Sequence, residues 1–191
     1  TVISQDFFRN SLDASYENCI YPRRNTSLTV LAAKYNDGRI NATASLLHTF
    51  ISDHVRSGSA AADRSRFSPA VSVSYKPFAK ENLRIRASYQ DIFRNPTFND
   101  LYYDRVGNAA LDPEIARQIN LGLTWRKGFD KVVDEVSLQA DFFHNKVKDK
   151  IVGLPTLFVW RMLNMGEVDI TGTDINLGTS VWIGMDYRLQ L

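Results

Sequence analysis

The sequence lacks the features that would assign it to several common protein classes. Its 191 residues include a single cysteine, Cys19, so no internal disulfide can form. The 23 basic and 21 acidic residues leave a net charge of only +2, without the concentrated basic patch that nucleic-acid binding requires. No segment approaches the ~18 consecutive apolar residues of a transmembrane helix. These absences argue against a disulfide-stapled domain, a nucleic-acid partner and a helical membrane protein.

Motifs that carry chemistry are also scarce. The three histidines, His48, His54 and His144, lie on separate segments without the spacing of a metal site. The chain has no glycine-rich phosphate loop, no nucleophile elbow and no pair of carboxylates at a defined spacing. We therefore expect no enzymatic activity, no metal site and no cofactor.

Alternation of apolar and polar residues is the strongest positive signal. From Leu83 to Gln90 every second residue is apolar or aromatic, and the pattern returns from Gln118 to Trp125. A period of two places one set of side chains on each face of a pleated strand. The connecting loop of about 20 residues is far longer than the 2 to 5 residues of an ordinary hairpin loop. Because this loop holds aromatic and turn-forming residues, its length indicates function rather than disorder.

The same alternation recurs along the chain and predicts about nine long strands, with no convincing helix. Each strand is close to the ~9–11 residues that cross a bilayer when tilted. Short connections alternate with long ones. The short ones contain Asp37-Gly38, Ala79-Lys80, Lys127-Gly128 and Gly178-Thr179, and the long ones are centred near Ser57, Pro96 and Pro155.

Short turns on one rim and long loops on the other are typical of an outer-membrane β-barrel. A soluble sandwich shows no such difference, and its strands average nearer 5 to 6 residues. We therefore predict an all-β fold, an antiparallel up-and-down meander of about nine long strands that forms an open fragment of a large outer-membrane β-barrel. The apolar face would contact lipid, and the polar face would line a wet lumen. The predicted lumen-lining residues are Arg84, Arg86, Gln90, Gln118, Asn120 and Gln139.

The loop region resembles the late-barrel signature of the TonB-dependent outer-membrane receptor family. In that family an aromatic-Arg step precedes a Pro-Thr-Phe-Asn-(Asp/Glu)-Leu-Tyr segment, and a Gly-Asn-X-X-Leu-X-Pro-Glu turn begins the next strand. The corresponding residues here are Phe93-Arg94, Asn95 to Tyr102, and Gly107 to Glu114.

Two further segments resemble neighbouring pieces of the same barrel, in the same order. They are Phe67 to Pro77 and Asn164 to Gly172. The resemblance is clearest over residues 67–177, and it covers Thr1 to Arg66 by pattern only.

The resemblance implies a place and a set of partners. The family's barrel has about 22 strands and a plugged lumen, and it lies in the bacterial outer membrane with its long loops outside and its short turns in the periplasm. Members take up a scarce nutrient such as an iron chelate, cobalamin or an oligosaccharide. The implied partners are outer-membrane lipid, the nutrient, and an inner-membrane energy-coupling complex that acts through the plug domain.

The chain also departs from the complete family pattern. It has no recognisable plug domain and no signal peptide, and about nine strands are too few to close such a barrel. We therefore expect residues 1–191 to be a partial barrel domain from the C-terminal half of a receptor.

Two loop clusters are the candidate ligand contacts. Aromatic and charged side chains at the apex of the first long loop are predicted to be exposed, where they could hold a polar ligand by stacking and hydrogen bonding. The flanking Asn95-Pro96 and Leu111-Asp112-Pro113-Glu114 segments are most simply explained as loop geometry. A soluble β-rich binding or adhesion module with long ligand-binding loops stays open as the alternative. The candidate residues are Tyr102, Tyr103, Asp104 and Arg105 at the apex, and Trp160 and Arg161 in the next long loop.

Overall fold

A computed structural model describes residues 1–13, 15, 19–129, 133–183 and 187–190. Within these ranges the chain forms one sheet of nine antiparallel strands, and each strand pairs with the next along the chain. This confirms the predicted all-β meander. The strands are β1 (Val2–Ser11), β2 (Arg23–Asn36), β3 (Ile40–His54), β4 (Arg64–Tyr75), β5 (Asn82–Arg94), β6 (Glu114–Gly128), β7 (Val133–Pro155), β8 (Trp160–Ile183) and β9 (Tyr187–Gln190).

Strand register keeps the two kinds of side chain on separate faces. The β2–β3 and β5–β6 pairs run without a shift along their whole lengths, and β7–β8 shifts only near Val133 and Glu135. One row of paired residues therefore crosses six strands on what we call the polar face. It comprises Asn41, Ser74, Arg86, Gly122, Asp141 and Asp174.

The residues that alternate with these along each strand point to the opposite face, which we call the apolar face. Large hydrophobic side chains remain exposed there, and an apolar surface of this extent marks a contact with lipid or protein. In an outer-membrane barrel the contact is with lipid. Examples are Leu31, Val71, Ile85, Leu121, Phe142 and Ile175.

The sheet is open in the part of the chain that the structure describes. Strands β1 and β9 lie at its two edges and each has a neighbour on one side only. Such edges present unpaired N–H and C=O groups, which further strands of a barrel would satisfy.

The predicted long connection near Pro155 is instead the end of a long hairpin. Strands β7 and β8 contain 23 and 24 residues, and they stay paired up to Pro155 and Trp160. The connection is a tight turn in which the Thr156 N–H donates to the Val159 carbonyl at 2.9 Å. The prediction of a long loop near Pro155 was therefore wrong, because strand pairing continues well beyond the length that spans a bilayer. The predicted short turn at Gly178-Thr179 was also wrong, since both residues lie within β8 and pair with Ser137 and Val136.

The expectation that the chain has no helix was also wrong, for one short segment. Helix α1 spans Phe98–Tyr102 within the loop between β5 and β6. Thr97 caps it, because its side chain accepts from the Asp100 N–H at 3.2 Å while the Asp100 carboxylate accepts from the Thr97 N–H at 2.8 Å. This reciprocal pair is a capping box. No helix among the described residues has the length and hydrophobicity of a membrane span.

Buried apolar side chains gather at the long-loop rim, where the loops pack against the ends of the strands. Leu101, Tyr102, Leu111 and Ile151 form the buried cluster. Three of them belong to the segment between β5 and β6, so that segment packs as a small core of its own.

Spin labels in the bilayer-reconstituted protein would test the strand phasing. Labels at Ile85 and Leu121 should report lipid, and labels at Arg86 and Asn120 should report water, because neighbouring residues on a strand point to opposite faces. Accessibility to oxygen and to a nickel chelate distinguishes the two environments. The opposite assignment would contradict the register, since a slip of one residue exchanges the faces.

Candidate functional site: the polar face and the loop that covers its rim

Hydrogen bonds between strands organise the polar face. Each of the predicted lumen-lining residues lies on this face. Each one hydrogen-bonds a side chain of another strand or of its own strand. Most of these bonds join different strands, so these side chains form a connected polar surface. The contacts are Arg84 to Ser74 at 3.1 Å, Gln90 to Gln118 at 2.6 Å, Asn120 to Ser88 at 3.3 Å, and Gln139 to Asp141 at 2.6 Å.

A glycine allows an ion pair to form across an intervening strand. Arg86 on β5 and Asp141 on β7 both pair in register with Gly122 on β6, and the Arg86 Nη2 to Asp141 Oδ1 distance is 2.7 Å. A Cβ atom at Gly122 would lie 2.3 Å from Asp141 Oδ1 and 2.9 Å from Arg86 Nε. The ion pair therefore occupies the space that any other residue at position 122 would fill.

Residues 95–113, which we call the rim loop, fold into an ordered segment. After α1, the Asn108 N–H donates to the Asp100 carbonyl at 2.9 Å and the Gly107 N–H donates to the Tyr103 carbonyl at 2.8 Å. A Cβ at Gly107 would lie 2.6 Å from the backbone N of Tyr103, so glycine is required for this close approach. The rim loop is thus a compact turn around a short helix.

A buried ion pair on the polar face anchors one side of the rim loop. Arg24 donates to the Asp53 carboxylate through Nε at 2.6 Å and Nη2 at 2.7 Å. The Arg24 side chain is only 12% exposed and the Asp53 side chain 3%. The Arg24 Nη1 also donates to the Pro96 carbonyl at 2.8 Å, and its guanidinium lies 5.0 Å from the Phe98 ring centre. Bidentate geometry of this kind gives strong, directional contacts.

Tyr102 completes this anchor from the helix. Its hydroxyl donates to Asp53 Oδ2 at 3.1 Å and accepts from the Ala61 N–H at 2.9 Å. Burial raises the pKa of the Tyr102 phenol above its ordinary value, because the anionic form loses hydration. The Tyr102 hydroxyl therefore connects the rim loop to β3 and to the loop that follows β3.

The other side of the rim loop is joined to β4 and β8. Arg64 donates to the Leu111 carbonyl at 3.2 Å and contacts Asp112 Oδ1 at 3.1 Å. Asn164 accepts from the Asp112 N–H and donates to the Asp112 carbonyl, both at 2.8 Å. Since Arg24, Asp53 and Arg64 all project from the polar face by strand parity, the rim loop lies on the lumen side of the sheet.

The four residues predicted at the loop apex differ in their exposure. Tyr102 is only 7% exposed, so its predicted exposure was wrong, because its hydroxyl and ring are used to hold the loop. Tyr103 is 53% exposed, and Arg105 is exposed with its guanidinium 3.7 Å from the Asp104 carboxylate. Of the four predicted apex residues, Tyr103 and Arg105 are therefore exposed, Asp104 is half-buried and Tyr102 is buried.

Trp160 and Arg161 are exposed at the start of β8, and the structure brings them near this apex. The Met162 N–H donates to the Val106 carbonyl at 3.1 Å, which joins the two predicted clusters through the backbone. Leu157 and Phe158 in the intervening turn are each 93% exposed, and the sequence patterns did not point to them.

Sequence reasoning also missed the Arg24–Asp53 anchor. A usable signal was present, because the predicted turn at Asp37-Gly38 sets the hairpin register and that register places Arg24 opposite Asp53. The Thr97-x-x-Asp100 capping box was likewise readable as a helix start.

Long antiparallel strands in a meander, with one polar face, one exposed apolar face and open edges, define the wall of an outer-membrane β-barrel. The model of the family described as "TonB dependent receptor-like, beta-barrel" matches residues 34–191. The chain belongs to this family, and it is accordingly a protein of the outer membrane of Gram-negative bacteria.

Solved structures share the fold at low sequence identity. The hemophore receptor HasR of Serratia marcescens has a TM-score of 0.70 at 13% identity, and the match covers 92% of this chain and 38% of HasR. The FrpB iron transporter of Neisseria meningitidis has a TM-score of 0.62 at 17% identity, covering 89% and 25%. The copper transporter OprC has a TM-score of 0.66 at 16% identity, covering 88% and 28%.

The chain thus spans 25% to 38% of the length of these proteins. Comparison with curated protein sequences gives no significant match.

Replacing Asp53 with Ala should open the rim loop. The change leaves Arg24 buried without its anion and removes the Tyr102 partner, and loss of one member of a buried pair costs about 3–5 kcal/mol. Trypsin cleavage after Arg105 should therefore become at least tenfold faster, because cleavage requires local opening.

Asp141→Ala is the matched control. The Arg86–Asp141 side chains are 39% and 32% exposed, so their pair is worth about 0–1 kcal/mol and lies outside the rim loop. Cleavage at Arg105 should stay within about fivefold of the unmodified protein. Equal rates for both variants would contradict the anchoring role of Asp53.

Proposed function

We propose that this chain is the wall and loop region of an outer-membrane receptor that takes up a scarce nutrient, without enzymatic activity. Membership of the TonB-dependent receptor-like barrel family is the observation that carries the proposal. The polar face supports it, because a hydrogen-bonded surface of Arg, Gln, Asn and Asp side chains suits passage of a hydrated solute.

The exposed residues at the long-loop rim are the proposed nutrient contacts. Tyr103, Arg105, Trp160 and Arg161 combine aromatic surface with cationic donors, which can stack on and hydrogen-bond to a polar ligand. The ordered rim loop holds the first two in place at low entropic cost, and a preorganised site of this kind binds more tightly.

A metal chelate is the nutrient we favour over cobalamin or an oligosaccharide. Proteins of the same fold include a hemophore receptor crystallised with its hemophore and heme, an iron transporter and a copper transporter. Aromatic and cationic residues at the rim suit an anionic chelate better than a neutral sugar, because the cations contribute charge-assisted hydrogen bonds.

The remaining partners follow from the same proposal. Outer-membrane lipid would cover the exposed apolar face, and an inner-membrane complex would supply energy through a plug domain elsewhere in the receptor. The alternative of a soluble binding or adhesion module is set aside, because the chain belongs to an outer-membrane family and exposes a broad apolar face.

Ala substitutions at Tyr103 and Trp160 should weaken nutrient binding without unfolding the receptor. Exposed aromatic anchors of this type contribute about 2 kcal/mol or more at binding surfaces, so affinity should fall at least about tenfold for each. Quenching of intrinsic fluorescence by a panel of ferric chelates, measured on the full receptor, provides the affinities.

Tyr35→Ala is the control, since Tyr35 is an exposed tyrosine on the apolar face near the short-turn rim. It should leave the affinity unchanged. Unchanged affinity in both rim variants would remove the proposed contacts, and absence of binding to every chelate would argue against a metal-chelate nutrient.

A further inference from the structure

Cationic side chains of the polar face gather in one groove near the short-turn rim. The register accounts for this, since Arg84 pairs with Thr124 and Asn82 pairs with Arg126. The groove has a volume of about 340 Å³, and none of the described residues that line it is acidic. We call it the basic groove, and its polar lining consists of Lys76, Asn82, Arg84, Arg86, Thr124 and Arg126.

Three of the four cations have no anionic partner among the described residues. Arg86 pairs with Asp141, whereas the other three contact neutral groups or none. Lys76 Nζ donates to Asn82 Oδ1 at 3.4 Å and Arg84 Nη1 donates to Ser74 Oγ at 3.1 Å. Like charges at neighbouring positions of a sheet repel each other, so the basic groove favours the arrival of negative charge.

The long-loop rim shows that this lack of acids is local. There, Arg24 pairs with Asp53 at 2.6 Å and Arg64 with Asp112 at 3.1 Å. Arg94 pairs with a further acid, Glu114, at 2.8 Å. Among the described residues, the same face therefore pairs its arginines with acids at the long-loop rim and leaves Arg84 and Arg126 without an acidic partner near the short-turn rim.

We propose that the basic groove binds a small molecule that carries two or more phosphate or carboxylate groups. The guanidinium forks of Arg84 and Arg126 match such oxyanions in a bidentate geometry, and Lys76 adds a compact positive charge. The volume falls at the lower end of the ~300–1,000 Å³ that is typical of small-molecule sites.

The inference rests on the proposed function, because uptake through the lumen is what would bring such a molecule to the polar face. It adds an anion site at the short-turn end of the wall, separate from the contacts proposed at the long-loop rim. A solute would thus meet a second binding surface after leaving the first.

Calorimetric titration of the full receptor with pyrophosphate and with citrate tests the site. We expect saturable binding at low ionic strength, which Arg84→Gln and Arg126→Gln each weaken at least about tenfold, since charge-assisted hydrogen bonds are lost. Arg84→Lys should retain more affinity than Arg84→Gln, and this order separates loss of charge from misfolding.

Lys127→Gln is the matched control. It removes a positive charge next to Arg126 but on the apolar face, where Lys127 pairs with Val136, so it should change the affinity less than twofold. Absence of saturable binding would overturn the proposal, and so would equal weakening by Lys127→Gln or full binding in every variant. Because binding is measured on purified receptor, a failure to transport the nutrient would leave this result intact.

Discussion

Unbroken strand register is the constraint on which the rest of the structure depends. A slip of one residue would exchange the two faces of a strand, and it would place charged residues where lipid contact is required. In a bilayer the same register must also satisfy every backbone N–H and C=O group. The contact of Arg86 with Asp141 above Gly122 exists only in this register. The polar chemistry of the lumen side is therefore a consequence of backbone pairing.

The register also determines how the rim loop is ordered. Along β2 and β3 the register places Arg24 opposite Asp53 at the ends of the strands. The Asp53 carboxylate of this pair also accepts a hydrogen bond from the Tyr102 hydroxyl. A segment of this length without such an anchor would be costly to order. Here it is held on the lumen side, with Tyr102 buried and its neighbours Tyr103 and Arg105 exposed. Order in the rim loop thus determines which of its side chains are exposed and which are buried.

The sequence predicted the sheet well and the rim poorly, for different physical reasons. The alternation around Arg84 and Gln118 is a local pattern with a single structural solution, so fold and faces followed from it. The burial of Tyr102 depends on Asp53 and Ala61, which are distant in sequence, and no local pattern records that contact. Trp160 was assigned to a loop because the alternation weakens above the membrane, although the strands remain paired there.

The most direct test of this account is amide hydrogen exchange in the rim loop and at its contact with β8, measured on the full-length protein. The N–H groups of Gly107, Asn108 and Met162 donate to backbone carbonyls, and they should exchange at least a hundredfold more slowly than unstructured amides, as folded segments do. Ser59 and Ala60, in the loop after β3, show no such bonds and serve as the internal reference. Exchange of all five amides at the rate of an unstructured chain would contradict a folded rim loop.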